Sequence, residues 1–467
     1  MFFMMILGIL FLFFLLEAYF SINKPKFGHT TGIIVLVGMA CSFLVYKLSD
    51  QDKQIMKDLQ FNEAVFFQLI LPMIIFPSGY NMRRKKFFRN IKTIMKFGFI
   101  ATLFCFAIYS AMVWGASEAG FLTKSDGKGG YVRLNWTMYE ILSICSLLCS
   151  SDVIAAISMI NYDAQPKLFS IVYGEGVFND IVSIILFNTV QNLFAVANFE
   201  FSASTPFEIM GQFFLLALES VLLGLFAGIL SSLLFKWCRF LCHSSITETL
   251  IIFIIAMLTY FLSEASQLSG IISLLTCGIT MAHYTWYNLS PQGKTISSVT
   301  VSVFGSAAEG IVFTYIGLCV FTYAADSSVE SAADREWSLS FILWMTGIII
   351  VGRIMGVGIS HALFNMCSKT SDITCRELMF IMYGGMIRGA IAFGLVLKLP
   401  DDASKFKERG VIVTTTLTVV IITVLGFGSF MPIAQKILVP AKVEDAAEQF
   451  DEPDAETIEY DEQEFYN

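Results

Sequence analysis

Apolar runs of 18 or more residues recur along almost the whole chain. Each is long enough to cross a hydrocarbon layer about 30 Å thick as a helix. The runs lie at roughly 2–20, 28–47, 62–80, 93–115, 138–160, 167–194, 207–236, 247–266, 269–286, 299–323, 338–364, 376–398 and 410–435. The pattern predicts an all-α polytopic membrane protein of about 13 transmembrane helices. Of the 467 residues, 56% are hydrophobic, 45 are Phe and only 15% are charged, an excess over what a soluble core needs. Met1–Phe20 lacks a basic start and a small-residue cleavage site, so it reads as a retained first helix. The ten cysteines fall mainly in or beside apolar runs and read as small buried hydrophobes. Cys238 and Cys242-His243 have no second pair of ligands at zinc spacing.

Lys and Arg in short loops set the orientation. The loop NMRRKKFFRNIK carries Arg83, Arg84, Lys85, Lys86, Arg89 and Lys92, and no other loop approaches it. It should be cytosolic. An odd number of spans then puts the N-terminus outside, with Asn135 of the sequon Asn135-Trp136-Thr137, and residues 436–467 inside. That tail holds much of the net charge of −8, is poor in aliphatics, and is expected to be a short disordered acidic segment. No basic arm suggests nucleic acid; the partners expected are membrane lipids.

A carboxylate near the bilayer centre costs roughly 2.5–3.5 kcal/mol, so the stretch YGEGVFNDIVSII (173–185), with Glu175, Asn179 and Asp180 in six residues, needs a reason beyond packing. Other charges within spans are Asp152, Glu309, Arg353 and Arg388, which should pair or line a water-filled path. Glu17, Lys96 and Glu264 lie near span ends, where snorkelling is enough. Glu219 has no evident role. Span five is interrupted by polar residues (CSLLCSSDVIAAIS) and span twelve by glycines around Arg388 (YGGMIRGAIAFG). They occupy corresponding places if about 1–194 and about 247–435 are inverted repeats joined by a linker helix at about 207–236. Broken helices in corresponding places point to a transporter's binding site. Residues 1–435 thus form one transmembrane domain with crossing broken helices. Close packing at Gly385-x-x-x-Gly389 is the blander reading, and it leaves Arg388 without a partner.

These motifs give the chain a likeness to a known family. It resembles the eukaryotic sodium/proton exchangers, of the monovalent cation:proton antiporter family, over roughly 28–435. FFQLILPMIIFPSGYNMRRKKFFRNIKTI is similar to the family's third span and basic loop, GEGVFND to its G-E-S-x-x-N-D motif, and GGMIRGAIAFG to its G-G-L-R-G-A-I-A-F motif. SEASQLSGIISLLTCGITMAHYTWYNLS resembles its eighth-to-ninth span region, and AHYTWYNLS leans towards the endosomal and Golgi branch over the plasma-membrane one. The resemblance implies a homodimeric antiporter, not an enzyme, without cofactor, exchanging Na+ or K+ for H+. It implies that Asp180 and Asn179 bind the ion, that Asp152 and Ser151 join them from the broken fifth span, and that the metal is a monovalent cation held by Asp180 and Asp152. It further implies a structural ion pair of Glu175 with Arg353, and broken-helix charges at Arg388 and Glu309.

Three departures stand against that pattern. Val153 replaces a proline, Gly176 replaces a serine, and one residue more than the usual spacing separates the glycines from Arg388, which shifts Arg388 by about 100° around a helix. They motivate the rival reading of a non-transporting scaffold or sensor subunit. An intramembrane aspartyl protease built on Asp152 and Asp180 would need a Gly-x-Gly-Asp that is absent, and no carbonyl loop suggests a channel filter. On the physical side, Glu175 and Asn179, four apart, share a helix face while Asp180 lies about 100° further round. A carboxylate taken out of water favours a bound proton or a bound cation over remaining bare, so the two should compete for Asp180. One site holding either gives one-for-one, electroneutral exchange.

Overall fold

The computed structural model describes residues 2–22, 28–48, 63–82, 84–125, 131–134, 136–160, 165–195, 205–325, 337–367, 373–399, 406 and 408–439. Asn135 of the sequon and the acidic tail beyond Val439 lie outside these residues. All thirteen predicted spans are helical among them. The first three are α1 (Phe2–Ile22), α2 (Thr30–Leu48) and α3 (63–80, with a π-helical turn at Phe66–Ile70). The basic loop forms a short helix α4 (Arg84–Arg89), which leads into α5 (Ile91–Glu118). A small antiparallel hairpin of β1 (Thr123–Ser125) and β2 (Tyr131–Arg133) precedes the fifth span.

Spans five and twelve are each broken in two. The fifth is α6 (Met138–Leu147) and α7 (Ile154–Ile157), separated by six non-helical residues. Between them and span twelve run α8 (Pro166–Ala195), α9 (Thr205–Trp237), α10 (Ser245–Ala265), α11 (Gly270–His283), α12 (Pro291–Ala325) and α13 (Leu339–Cys367). The twelfth is α14 (Cys375–Gly384) and α15 (Ala390–Leu397), and the chain closes with α16 (Arg409–Leu438). Among the described residues seven helices, α5, α8, α9, α10, α12, α13 and α16, are long and apolar enough to cross a membrane alone.

The two broken spans begin alike. Thr137 and Glu140 form a capping box at the start of α6, and Thr374 and Glu377 form another at the start of α14. Each box satisfies orphan N–H groups of the first turn reciprocally, so each half-helix starts at a fixed residue within the membrane protein. Both half-helices run ten residues. At the end of α6 the Ser146 carbonyl accepts the Ser183 hydroxyl at 2.6 Å, one of the carbonyls that a terminating helix leaves open.

Packing is densest within two sets of helices. One joins α1, α2, α3, α9, α10, α11 and α12; the other joins α5, α6, α8, α13, α15 and α16, with α14 seated on the end of α16. The sets meet along α8 and α9 and where α2 touches α16. The Gly28 N–H donates to the Ser429 carbonyl at 3.1 Å, and the buried His29 ring lies 3.2 Å from the Ser158 hydroxyl.

Two of the charges set aside at span ends, Lys96 and Glu264, are engaged more closely than snorkelling requires, while Glu17 is exposed. Lys96 is buried, with Nζ 3.0 Å from His361 Nδ1. Glu264 accepts the Gly270 N–H at 3.1 Å at the start of α11. Glu219 points outward from α9, among the exposed Leu215, Leu218 and Leu222.

Candidate ion-binding site

The two helix breaks meet. The Asp152 N–H donates to the Ile387 carbonyl at 2.8 Å, which ties the middle of one break to the middle of the other. Arg388 is buried here and its guanidinium donates from Nη1 to the carbonyls of Cys149 (3.0 Å) and Ser150 (2.8 Å). These carbonyls lie just beyond the C-terminal end of α6, where open acceptors and the helix dipole both favour a cation. Nη2 donates to the Tyr109 hydroxyl of α5 at 2.9 Å, and the Arg388 N–H donates to Thr423 Oγ1 of α16 at 3.1 Å. Arg388 thus finds its partners largely in main-chain oxygens, with its Nε left without one among the described residues.

Helix α8 passes the crossing with its own polar stretch. Glu175 faces α13, where Arg353 Nη2 lies 2.6 Å from its Oε1, both side chains about 1% exposed. Asn179, one turn on, donates from Nδ2 to the same Glu175 oxygen at 3.3 Å. Among the described residues its Oδ1 is left buried with no hydrogen-bond donor, and so is the hydroxyl oxygen of Ser151 on the neighbouring break. Asp180 turns to that break, and its Oδ1 accepts the Ser150 hydroxyl at 2.6 Å. The structure therefore gathers Asp180, Asn179, Ser151 and Asp152 around one crossing. Among the described residues two buried oxygens on these segments lack a donor, and oxygen ligands together with a carboxylate suit a hard cation.

A profile described as "Sodium/hydrogen exchanger, transmembrane" matches residues 2–436. The chain belongs to the sodium/hydrogen exchanger family. It is 32% identical over 415 residues to "Sodium/hydrogen exchanger 3" of Arabidopsis thaliana, covering 87% of this chain and 76% of that one. Against "Sodium/hydrogen exchanger 8" of Homo sapiens it is 30% identical over 412 residues, covering 88% and 66%. The solved sodium proton antiporter MjNhaP1 from Methanocaldococcus jannaschii at pH 8 shares the fold with a TM-score of 0.64 at 18% identity, covering 97% of this chain and 100% of that one.

Two expectations for this exchanger need correction. Glu309 is not a broken-helix charge: α12 runs unbroken from Pro291 to Ala325, and Glu309 sits within it. The extra residue before Arg388 produces no rotation of 100°, because residues 385–389 lie outside both α14 and α15. A residue added to a non-helical connection lengthens it without turning a helix. Gly385 has its own reason to be there, since a side chain on it would run into the Arg353 guanidinium.

The remaining two departures from the exchanger pattern turn out to be neighbours. A Cβ on Gly176 would overlap the γ-methyls of Val153. The branched side chain on the break fills the space that a side chain on α8 would need, so each residue permits the other. Gly176→Ala is expected to destabilise the folded exchanger by about 1–3 kcal/mol through overpacking. Val153→Ala placed in that background should restore most of the loss, because it vacates the volume. Thermal unfolding of the two variants, read by intrinsic fluorescence in detergent, checks this. A double variant no more stable than Gly176→Ala would show that the two positions are not coupled.

Several partners escaped the sequence reading. Ser150, not Ser151, donates to Asp180, and Tyr109 and Thr423 hold Arg388. The serine could have been found, as the second hydroxyl in a polar triplet; nothing in the sequence singles out one tyrosine among 16 or Thr423 within a threonine-rich helix. The two capping boxes were readable, Thr-x-x-Glu at 137–140 and at 374–377 directly before apolar runs.

Proposed function

We propose that the chain is a secondary active antiporter that exchanges Na+ or K+ for H+ by alternating access, one ion for one, on the single carboxylate of Asp180. The observation that supports this most is a pair of buried oxygens without a donor among the described residues: Asn179 Oδ1, next in sequence to Asp180, and Ser151 Oγ, next to the Ser150 whose hydroxyl donates to that carboxylate where the two broken helices cross. Asp180 holds either the proton or the cation, and Asn179 adds a neutral oxygen rather than a second charge. Asp152 shapes the local field and contributes to cation affinity. Glu175 and Arg353 hold α8 against α13 and stay out of the exchange. The set containing α5, α6, α8 and α13 moves as the ion carrier against the other. The working unit is a homodimer, for which the outward apolar face of α9 offers a surface, in an endosomal or Golgi membrane, as AHYTWYNLS suggests.

The basic test is cation-dependent dequenching of a pH dye in proteoliposomes. Flux that follows an imposed Na+ or K+ gradient supports the antiporter. Protein that folds, reconstitutes and moves no protons with either cation supports the scaffold or sensor reading.

Stoichiometry has its own test. A membrane potential does work only on net charge moved, about 2.3 kcal/mol per elementary charge per 100 mV. With Na+ as the exchanged ion, the final proton gradient should not shift when valinomycin and K+ clamp the potential near −100 mV, relative to the same K+ gradient without valinomycin. A shift of the end point would mean that a second carboxylate, Asp152 first, also carries protons.

A further inference from the structure

Helix α4 is built with two unlike faces. Lys85, Phe88 and Arg89 stand three and four residues apart, which puts them on one side of a helix, and all three are exposed, Phe88 at 52%. Lys92, in the first turn of α5, is exposed beside them. Phe87 points the opposite way and is buried. Its ring stacks on Phe178 of α8 with centroids 6.2 Å apart and planes 13° from parallel, in a cluster with Met82 and Ile94. The following turns are keyed to α8 as well: a Cβ on Gly98 would lie 2.7 Å from the Phe178 Cβ. The basic helix is therefore fixed in place from behind, and Phe178 immediately precedes Asn179 and Asp180.

Retaining the loop in the cytosol needs the charges alone. It does not call for an aromatic ring held outward among them, nor for a helix braced against the core. An exposed apolar ring flanked by cations suits the boundary between headgroups and acyl chains, and cations beside a membrane helix attract anionic headgroups, each strengthening attachment about fivefold. We infer that Lys85, Phe88, Arg89 and Lys92 form a docking surface for an anionic phospholipid of the cytosolic leaflet, and that the docked lipid steadies the first half of α8 through the Phe87–Phe178 stack. The surface binds whether or not the chain exchanges ions, so its failure and that of the proposed transport are separable.

The test uses the full-length protein in neutral detergent, with short-chain phosphatidylserine and phosphatidylcholine as probes and native mass spectrometry as the readout of bound lipid. Wild type should prefer phosphatidylserine, and the triple variant Lys85→Gln, Arg89→Gln, Lys92→Gln should bind it about a hundredfold more weakly. The charge-preserving variant Lys85→Arg, Lys92→Arg should bind as wild type, which separates lost charge from lost fold. No preference in wild type, or an unchanged preference in the triple variant, overturns the docking surface. Hydrogen exchange in residues 166–180 should slow when phosphatidylserine is added to wild type. Unaltered exchange there with lipid bound overturns the link to α8.

Discussion

Replacing Asp180 by Asn should abolish cation-coupled proton flux while leaving the protein folded. The change keeps the side-chain volume and retains an oxygen for the Ser150 hydroxyl, which lies 2.6 Å from Oδ1. It removes the only group on α8 at the crossing that can trade a proton for a cation there, because Glu175 is committed to Arg353 and Asn179 does not titrate. Flux in proteoliposomes should fall to the leak of protein-free vesicles, with an unchanged elution volume and melting temperature. Flux well above that leak would show that the carrier carboxylate is another, and Asp152 would be examined next. Asp152→Asn is expected instead to raise the KM for the cation with exchange still measurable.

Breaking the Glu175–Arg353 pair should do the most damage to the fold. Both side chains are about 1% exposed, and deleting one half leaves a charge buried without its counter-ion, a loss of roughly 3–5 kcal/mol. Glu175→Ala also strips Asn179 of its acceptor, so it should disturb the site as well as the packing. The exchange of charges, Glu175→Arg with Arg353→Glu, should recover part of the folded protein, judged by the monodisperse yield after purification. A double variant no better than either single one would mean that the pair's geometry, and not its charge, is what the fold requires. Gly385 makes partial recovery the expected result, since the space beside it is shaped to a guanidinium on α13.

What the sequence showed and what it hid divide along a physical line. Span positions were readable because hydrocarbon imposes one length and one composition on every crossing helix, whatever its neighbours. The charges of the site were readable for the same reason: Glu175, Asp180, Arg353 and Arg388 each carry a cost that only function or pairing offsets. Partners that are neither charged nor rare stayed hidden. Tyr109 looks like any other aromatic in a membrane chain, and the carbonyls of Cys149 and Ser150 have no signature at all, since every residue supplies one. Glu309 misled because its cost is visible while the continuity of its helix is not. Val153 and Gly176 looked like two separate losses when taken one at a time along the chain, and only their contact shows a single exchange of volume.

Arg388 is anchored chiefly to the main chain, and this bears on how such proteins diverge. Carbonyl oxygens persist through almost any substitution, so side chains at 149–153 can drift while the arginine still finds the same two acceptors. The letters of the break are then free to record changes of substrate, and its architecture is inherited separately from them. Distant kin of this chain should be easier to recognise by one arginine lying across the end of an opposing half-helix than by any short word of sequence.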